Sequence, residues 1–320
     1  MKVLFMGTPA FAAEVLRAIA EKPGVELVGA VTRPDKPKGR GMKLLMSPVK
    51  EYALARSIPV FQPKTLKNGA FDQELAALEP ELIVVAAYGN ILPHEVLVFP
   101  KYGCVNAHGS LLPKYRGASP IQRAILDGER ETGITAMFMD DGLDTGDVIK
   151  TYPCPIEDGD DCGSLTEKLA VIAGKAMCET IDTLLDGTVT RTPQPEEGAS
   201  YAAKIGKEDE ALDFSRDAES LRNQIRALSP APLASTTTPD GRGLKIAQAA
   251  LGGDCPDTEP GLVTEVGSKG EGYVRVACGK GSLLITKLVP EGKKCMSAGD
   301  FVRGRKIAAG DLLGRQPERL

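Results

Sequence analysis

With 320 residues, the chain has room for two domains of the common ~150-residue size, or for one large α/β domain. Apolar residues make up 42% and charged residues 26%, a balance that excludes disorder, while 5% aromatic content without Trp argues against a stacking platform for single-stranded nucleic acid. Lys and Arg number 39 against 43 Asp and Glu, so the formal charge of −4 excludes a uniformly basic nucleic-acid binder but leaves a local basic face open.

No run reaches the ~20 apolar residues of a membrane span. MKVLFMGTP passes straight into Gly-Thr-Pro without a small-residue cleavage site, so it reads as a first strand and not as a signal peptide. Seven cysteines without a Cys-x-x-Cys pair argue for reduced thiols in a cytoplasmic protein, with no metal site.

Apolar runs alternate with helical patterns along 1–189. VLFMG (3–7) is a strand, and Thr8-Pro9 is expected to cap a helix running to about Lys22. VELVGAVT (25–32) is the second strand, and Ser47-Pro48 opens another helix. IPVF (58–61), ELIVVAA (81–87) and GCVNAH (103–108) are strands, the middle one apolar on both faces like a central parallel strand. A helix follows Ser119-Pro120. GITAMFMD (133–140) and DVIKTYPC (147–154) read as strands, and Ser164-x-x-Glu167 as the start of a long helix to about Leu185. This alternation predicts an α/β fold: a doubly wound, mostly parallel sheet covered on both faces.

Residues 190–207 are polar and aperiodic, as in a linker. Over 208–320 come one helical pattern (217–228) and five short β-branched runs, LASTTT, LKIAQAAL, GLVTEV, YVRVAC and SLLITKLV, which predict a C-terminal β-barrel of oligonucleotide-binding type.

Charge is uneven. Residues 33–50 carry six Lys or Arg and one Asp; 275–320 carry ten Lys or Arg and four acids; 251–272 carry five acids and one Lys. Such runs are usually solvated faces, but one basic patch in each domain makes a shared polyanion credible.

Gly7-Thr8-Pro9-Ala10-Phe11 lacks the three glycines of a dinucleotide turn, so a nicotinamide site is not expected there. Of the two histidines, His94 follows ILP in what reads as a solvated turn. His108 ends an apolar strand in Asn106-Ala107-His108-Gly109-Ser110, where positions i and i+2 share a face and strand C-termini build sites. Asp140-Asp141-Gly142-Leu143-Asp144-Thr145-Gly146-Asp147 lacks the terminal Glu of a calcium loop; if Asp144 points back at His108, it would hold the ring. Asn106, His108 and Asp144 would then suit direct transfer of an acyl group to an amine: His108 takes the proton and Asn106 donates to the developing oxyanion. Ser110 adjoins His108 but faces the other way and sits in no Gly-x-Ser-x-Gly elbow, which argues against a serine hydrolase.

VNAHGSLLPKYRGASPIQRAI (105–125) with MDDGLDTGDVI (139–149) closely resembles the folate-dependent formyltransferases, and VVAAYGNILP (84–93) is similar to their folate-pocket strand and loop. The resemblance implies 10-formyltetrahydrofolate as donor without a metal, catalysis by Asn106, His108 and Asp144, and donor contacts from Tyr88, Gly89, Ile91, Ser110, Leu111, Leu112 and Pro113. LFMGTPAFA (4–12), the basic stretch 33–50 and EGKKCMSAGDFVRGRKI (291–307) resemble the branch that acts on initiator methionyl-tRNA. For that branch the resemblance implies tRNA contacts from Arg33, Lys36, Lys38, Arg40, Lys43, Lys204 and Lys207, and a monomer that engages neither DNA nor membrane. Two departures stand out: Ser229-Pro230-Ala231-Pro232 replaces the usual Asn-Pro-Trp-Pro, and Met46 stands where Pro is usual. The competing readings are a formyltransferase for a nucleotide-sugar amine or glycinamide ribonucleotide, hydrolysis of formyltetrahydrofolate, and a non-catalytic folate- or RNA-binding module.

Overall fold

A computed structural model of the chain describes residues 1–38 and 43–314. Contacts divide these into two compact units, one of residues 1–120, 131–155 and 166–203, the other of 121–130, 156–165 and the chain from 204 onward. Residues 190–203, read above as linker, belong to the first unit: Thr192 pairs with Val148, and Tyr201–Ala202 pair with Arg116–Gly117.

In chain order the first unit carries β1 (Lys2–Gly7), α1 (Ala10–Ala20), β2 (Glu26–Val31), β3 (Lys36–Lys38), β4 (Lys43–Leu45), α2 (Pro48–Ala55), β5 (Val60–Phe61), α3 (Asp72–Leu78), β6 (Leu82–Ala86), α4 (His94–Leu97), β7 (Cys104–His108), β8 (Arg116–Gly117), the start of α5 (Pro120–Leu126), β9 (Glu131–Phe138), β10 (Val148–Pro155), most of α6 (Cys162–Leu185) and β11 (Tyr201–Ala202). Its seven-stranded sheet has the order β10-β9-β7-β6-β1-β2-β5. The strands from β5 to β7 pair in parallel, whereas β9 and β10 add an antiparallel edge. Parallel strands need apolar residues on both faces, and Val3 to Met6 and Leu82 to Ala86 are buried throughout. Strand order reverses beside β1, so the loops after β1 and β6 open the crevice where such sheets build their sites.

Two helix starts differ from expectation. Thr8 does not cap α1; its hydroxyl donates to the Tyr88 carbonyl at 3.2 Å, tying the β1 and β6 loops together. α6 begins two residues before Ser164, because Asp161 accepts from the Ser164 N–H at 2.9 Å and the Ser164 hydroxyl accepts from the Asp161 N–H at 3.2 Å. Ser47 does cap α2, accepting from the Lys50 N–H at 3.1 Å.

The second unit contains α7 (Ala218–Ala227), β12 (Ala234–Thr237), β13 (Gly243–Gly253), β14 (Val263–Gly267), β15 (Tyr273–Ala277), β16 (Ser282–Pro290), β17 (Met296–Ser297) and α8 (Ala298–Arg303). The five expected runs form an antiparallel sheet in the order β12-β13-β16-β15-β14, and the two-residue β17, too short to leave a pattern, pairs with β16. Residues 311–314 bridge the sheet's two edges: Gly314 N–H donates to Thr237, Leu313 N–H to Gly261, and the Asp311 carbonyl accepts from Val263. Leu221 and Ile225 of α7 pack on Ile246, Val276 and Ile285 in the core. Ser229, in the stretch lacking the usual Trp, donates to Asp161 at 3.1 Å and so supports the start of α6.

Candidate active site

β7 runs between β6 and β9, with Asn106 opposite Met137 and His108 opposite Thr135. The i, i+2 spacing puts Asn106 and His108 on one face at the strand's C-terminal end, and both are buried. His108 Nε2 lies 2.9 Å from the Tyr115 carbonyl, and Nδ1 lies 3.6 Å from Asp144 Oδ1. The Tyr115 carbonyl holds the ring by a hydrogen bond, and the Asp144 carboxylate faces the other nitrogen just beyond hydrogen-bond distance. The Asn106 carboxamide makes no hydrogen bond among the described residues and is not one of the polar groups sealed from solvent, so its N–H is open to a ligand.

Two loops bring these groups together. Ser110 donates from its hydroxyl to the Lys114 carbonyl at 2.6 Å, and Thr135 donates to the Ser110 carbonyl at 2.7 Å while accepting from the Leu112 N–H at 3.0 Å. Ser110 is therefore a buried structural hydroxyl rather than a nucleophile. Leu112 is buried beside it, with Leu111 and Pro113 half-buried. Tyr115 N–H donates to Ser200 Oγ at 2.9 Å. Gly117 sits at φ 116°, where a Cβ would lie 2.9 Å from the Ala202 carbonyl, so no other residue passes β11 this closely.

In the 140–147 loop, Asp140 accepts from the Gly142 N–H and the Thr145 hydroxyl, which closes the turn. Asp144 adopts the left-handed conformation (φ 53°), and its Oδ2 accepts from the Gly117 N–H at 2.8 Å. Its other oxygen faces His108. Gln194 further holds the Asp144 and Gly146 carbonyls. Gln194, Arg116, Thr135 and Ser200 are the supporting residues that sequence reading passes over or leaves unranked. Gln194 lies 50 positions from Asp144 with no periodic signal, its one mark being a proline on each side.

The other expected donor residues lie on the 87–93 loop. The Tyr88 side chain is packed in the core cluster with Leu92 and Val96. Burial pushes its hydroxyl pKa up, against smaller opposing effects of Asn90 and Arg33. Gly89 is exposed at φ 81°, and Ile91 is 77% exposed. His94 opens α4 instead of lying in a free turn, and its Nδ1 pairs with Asp141 at 3.0 Å, joining this loop to the one that carries Asp144.

The expected cationic residues divide into three groups. Arg33 is half-buried at the end of β2, its guanidinium against Gly89, in the crevice rather than on an outer face. Lys36, Lys38 and Lys43 lie on the paired strands β3 and β4, Lys36 exposed, whereas Arg40 lies outside the described residues. Lys204 and Lys207 are exposed in the second unit and make no ion pair among the described residues.

Residues 1–181 match the formyl transferase family, and residues 204–306 match the formyl transferase C-terminal domain. A methionyl-tRNA formyltransferase of Bacillus subtilis is 46% identical over 318 residues, 99% of each chain. One from Symbiobacterium thermophilum is 48% identical over 311 residues, 97% of this chain and 94% of that one. The fold resembles an N-formyltransferase of Helicobacter canadensis in complex with folinic acid and dTDP-3-aminofucose, with a TM-score of 0.65 at 21% identity over 89% of this chain and 98% of that one. It also resembles HypX of Aquifex aeolicus in complex with tetrahydrofolic acid, with a TM-score of 0.64 at 18% identity over 94% of this chain and 47% of that one. On its two matched domains and its near full-length relatives, the chain belongs to the methionyl-tRNA formyltransferase family.

Proposed function

We propose that this protein transfers the formyl group of 10-formyltetrahydrofolate to the α-amino group of methionine carried by initiator tRNA. The observation that carries the reading is the unpartnered Asn106 carboxamide beside a histidine fixed between Asp144 and the Tyr115 carbonyl. Family membership supplies the reaction class, and the folate-bound structural neighbours support a folate-derived donor.

The exposed apolar side chains of Ile91 and Leu143, on two loops joined by His94 and Asp141, suit an apolar ring system. Those loops and residues 110–113 would hold the donor, which supplies the formyl carbon when bound. The chain does the rest. An α-amine with a pKa of ~7.7–8 is mostly protonated near neutrality, so removing a proton is part of the barrier. The Tyr115 carbonyl can only accept, so the neutral ring carries its proton on Nε2, and His108 Nδ1 is the basic nitrogen, which takes the amine proton and then presents it to the Asp144 carboxylate. Asn106 offers an N–H to the oxygen that gains charge as the amine attacks. General acid–base work contributes about 10²–10⁴ in rate and one such donor about 10²–10³. Lys36, Lys38, Arg40, Lys43, Lys204 and Lys207 would meet tRNA phosphates, making binding strongly salt-dependent.

Purified protein is offered donor labelled in the formyl group with charged initiator tRNA, free methionine, an amino sugar nucleotide, glycinamide ribonucleotide, or no acceptor. Label on methionyl-tRNA alone is the expected result. Label released as formate without an acceptor, or placed on free methionine or the other amines at the same rate, contradicts the proposal.

A further inference from the structure

Gln194 lies between two prolines, far in sequence from Asn106, His108 and Asp144. Its Nε2 donates to the Asp144 carbonyl at 2.9 Å and the Gly146 carbonyl at 2.8 Å. Its Oε1 accepts from Arg116 Nε at 3.1 Å. Both faces of the amide are used, so its orientation is determined by the bonds it makes. Arg116 is 1% exposed, and its Nη1 reaches the exposed Glu196 at 3.3 Å. A guanidinium buried this deeply is costly unless its bonds are needed, and one of them aims a single amide.

These contacts close a circuit. His108 reaches the Tyr115 carbonyl; the next residue, Arg116, holds Gln194; Gln194 holds the backbone of Asp144; and Asp144 faces His108. Asp144 sits in the left-handed region, which Asp tolerates better than most residues, and the contacts on both sides of it keep it there. The two carbonyls held by Gln194 lie at Asp144 and two residues beyond, and the Gly117 N–H fixes its carboxylate from the other side.

We infer that Gln194, oriented by Arg116, is a positioning residue for formyl transfer, which acts by holding the Asp144 backbone so that the carboxylate faces His108. The inference rests on the proposed roles of His108 and Asp144. It gives residues 190–203 a task in the chemistry beyond connecting the two units. Gln194 touches neither substrate in this scheme, so its loss lowers turnover and leaves substrate binding intact.

Formylation kinetics are measured for wild type, Gln194→Ala, Gln194→Glu, Asp144→Asn, the Asp144→Asn/Gln194→Ala double variant and His108→Ala. Glutamate keeps the length and the Arg116 partner but cannot donate to the two carbonyls, so it tests the role even where alanine disturbs folding. Each Gln194 variant is expected to lose kcat by about 10–100-fold, as misplacement by a fraction of an ångström can cause, with KM for tRNA and donor changed less than about threefold. In the Asp144→Asn background the alanine change should add less than about twofold, because residues acting through one another are not additive. Equal losses in both backgrounds, or wild-type kcat in Gln194→Glu, overturn the inference. Wild-type turnover in His108→Ala would instead remove the reading on which it rests, and an inactive His108→Ala beside fully active Gln194 variants removes Gln194 alone.

Discussion

The end of β7 and the β3–β4 hairpin lie in the same unit and treat polar residues in opposite ways. Around His108, most polar groups have a protein partner within hydrogen-bond reach; of those that lack one, Arg116 Nη2 is sealed in the interior and the Asn106 carboxamide is where a substrate is proposed to sit. On the hairpin, Lys36 is exposed and unpaired among the described residues, and Leu44 and Leu45 are 67% and 49% exposed. The difference follows from the tasks. A proton transfer or an oxyanion contact depends on atomic placement, and only a bonded, buried scaffold gives it. Phosphate contacts gain from released counterions and need only reach, so a solvated cation serves.

The comparison can be broken first at β7. His108→Ala should lower turnover by at least about 10³-fold, combining the loss of the base with that of its ordered pair, while tRNA affinity stays within about twofold. Single-turnover rates beside filter-binding titrations check both. Asp144→Asn keeps the size and the acceptor oxygen for the Gly117 N–H but presents a neutral group to His108; a loss of about 10²–10³ in kcat is expected, and a loss below tenfold would show that the 3.6 Å contact is incidental. Asn106→Ala should cost about 10²-fold in kcat with little change in donor KM.

Much of the first region was legible in the sequence because it obeys local rules. The strand-end Asn106–His108 pair follows from the two-residue period of a strand, and the Asp- and Gly-rich loop from turn chemistry. Gln194 and Ser200 escaped because their partners lie 50 and 85 positions away and no periodicity links them. Thr8 was misread for a related reason: a hydroxyl before Pro9 looks like a cap, but the fold offers it the Tyr88 carbonyl instead. The sheet's antiparallel edge was likewise invisible, since β9 and β10 are as apolar or as alternating as strands of either direction. Arg33 is close to the hairpin in sequence, but its guanidinium lies against Gly89, a neighbour 56 positions on that no local pattern shows.

Smaller effects sharpen the second region. Lys36→Ala with Lys204→Ala should raise KM for tRNA several-fold, leave kcat at saturating tRNA unchanged, and flatten the dependence of log affinity on log salt by about two phosphate contacts. An unchanged slope would take these lysines out of the interface. A structural pair in the second unit supplies the contrast of a charge used for stability alone. Arg123 holds Asp209 through bonds of 2.7 and 2.8 Å. Burial pushes the Asp209 pKa up, but the bonds from Arg123 and the Gly206 N–H outweigh it and keep the carboxyl below its ordinary 3.8. A depressed folded pKa contributes stability that is complete above the unfolded value and is lost as pH falls through the folded one. Arg123→Ala should therefore destabilise by about 1.5–3 kcal/mol near neutrality, with the difference from wild type shrinking below the ordinary carboxylate range. Urea midpoints across pH check this, and turnover at saturating substrate should not change.

The division between placement and reach is tested most directly by measuring two quantities on two proteins. Single-turnover formylation at saturating initiator tRNA, and equilibrium affinity for that tRNA, are determined for His108→Ala and for Lys36→Ala/Lys204→Ala. The account predicts a lost rate with retained affinity in the first, and a retained rate with weakened affinity in the second. Loss of tRNA affinity in His108→Ala, or an unrecovered rate at saturation in the lysine variant, would contradict it.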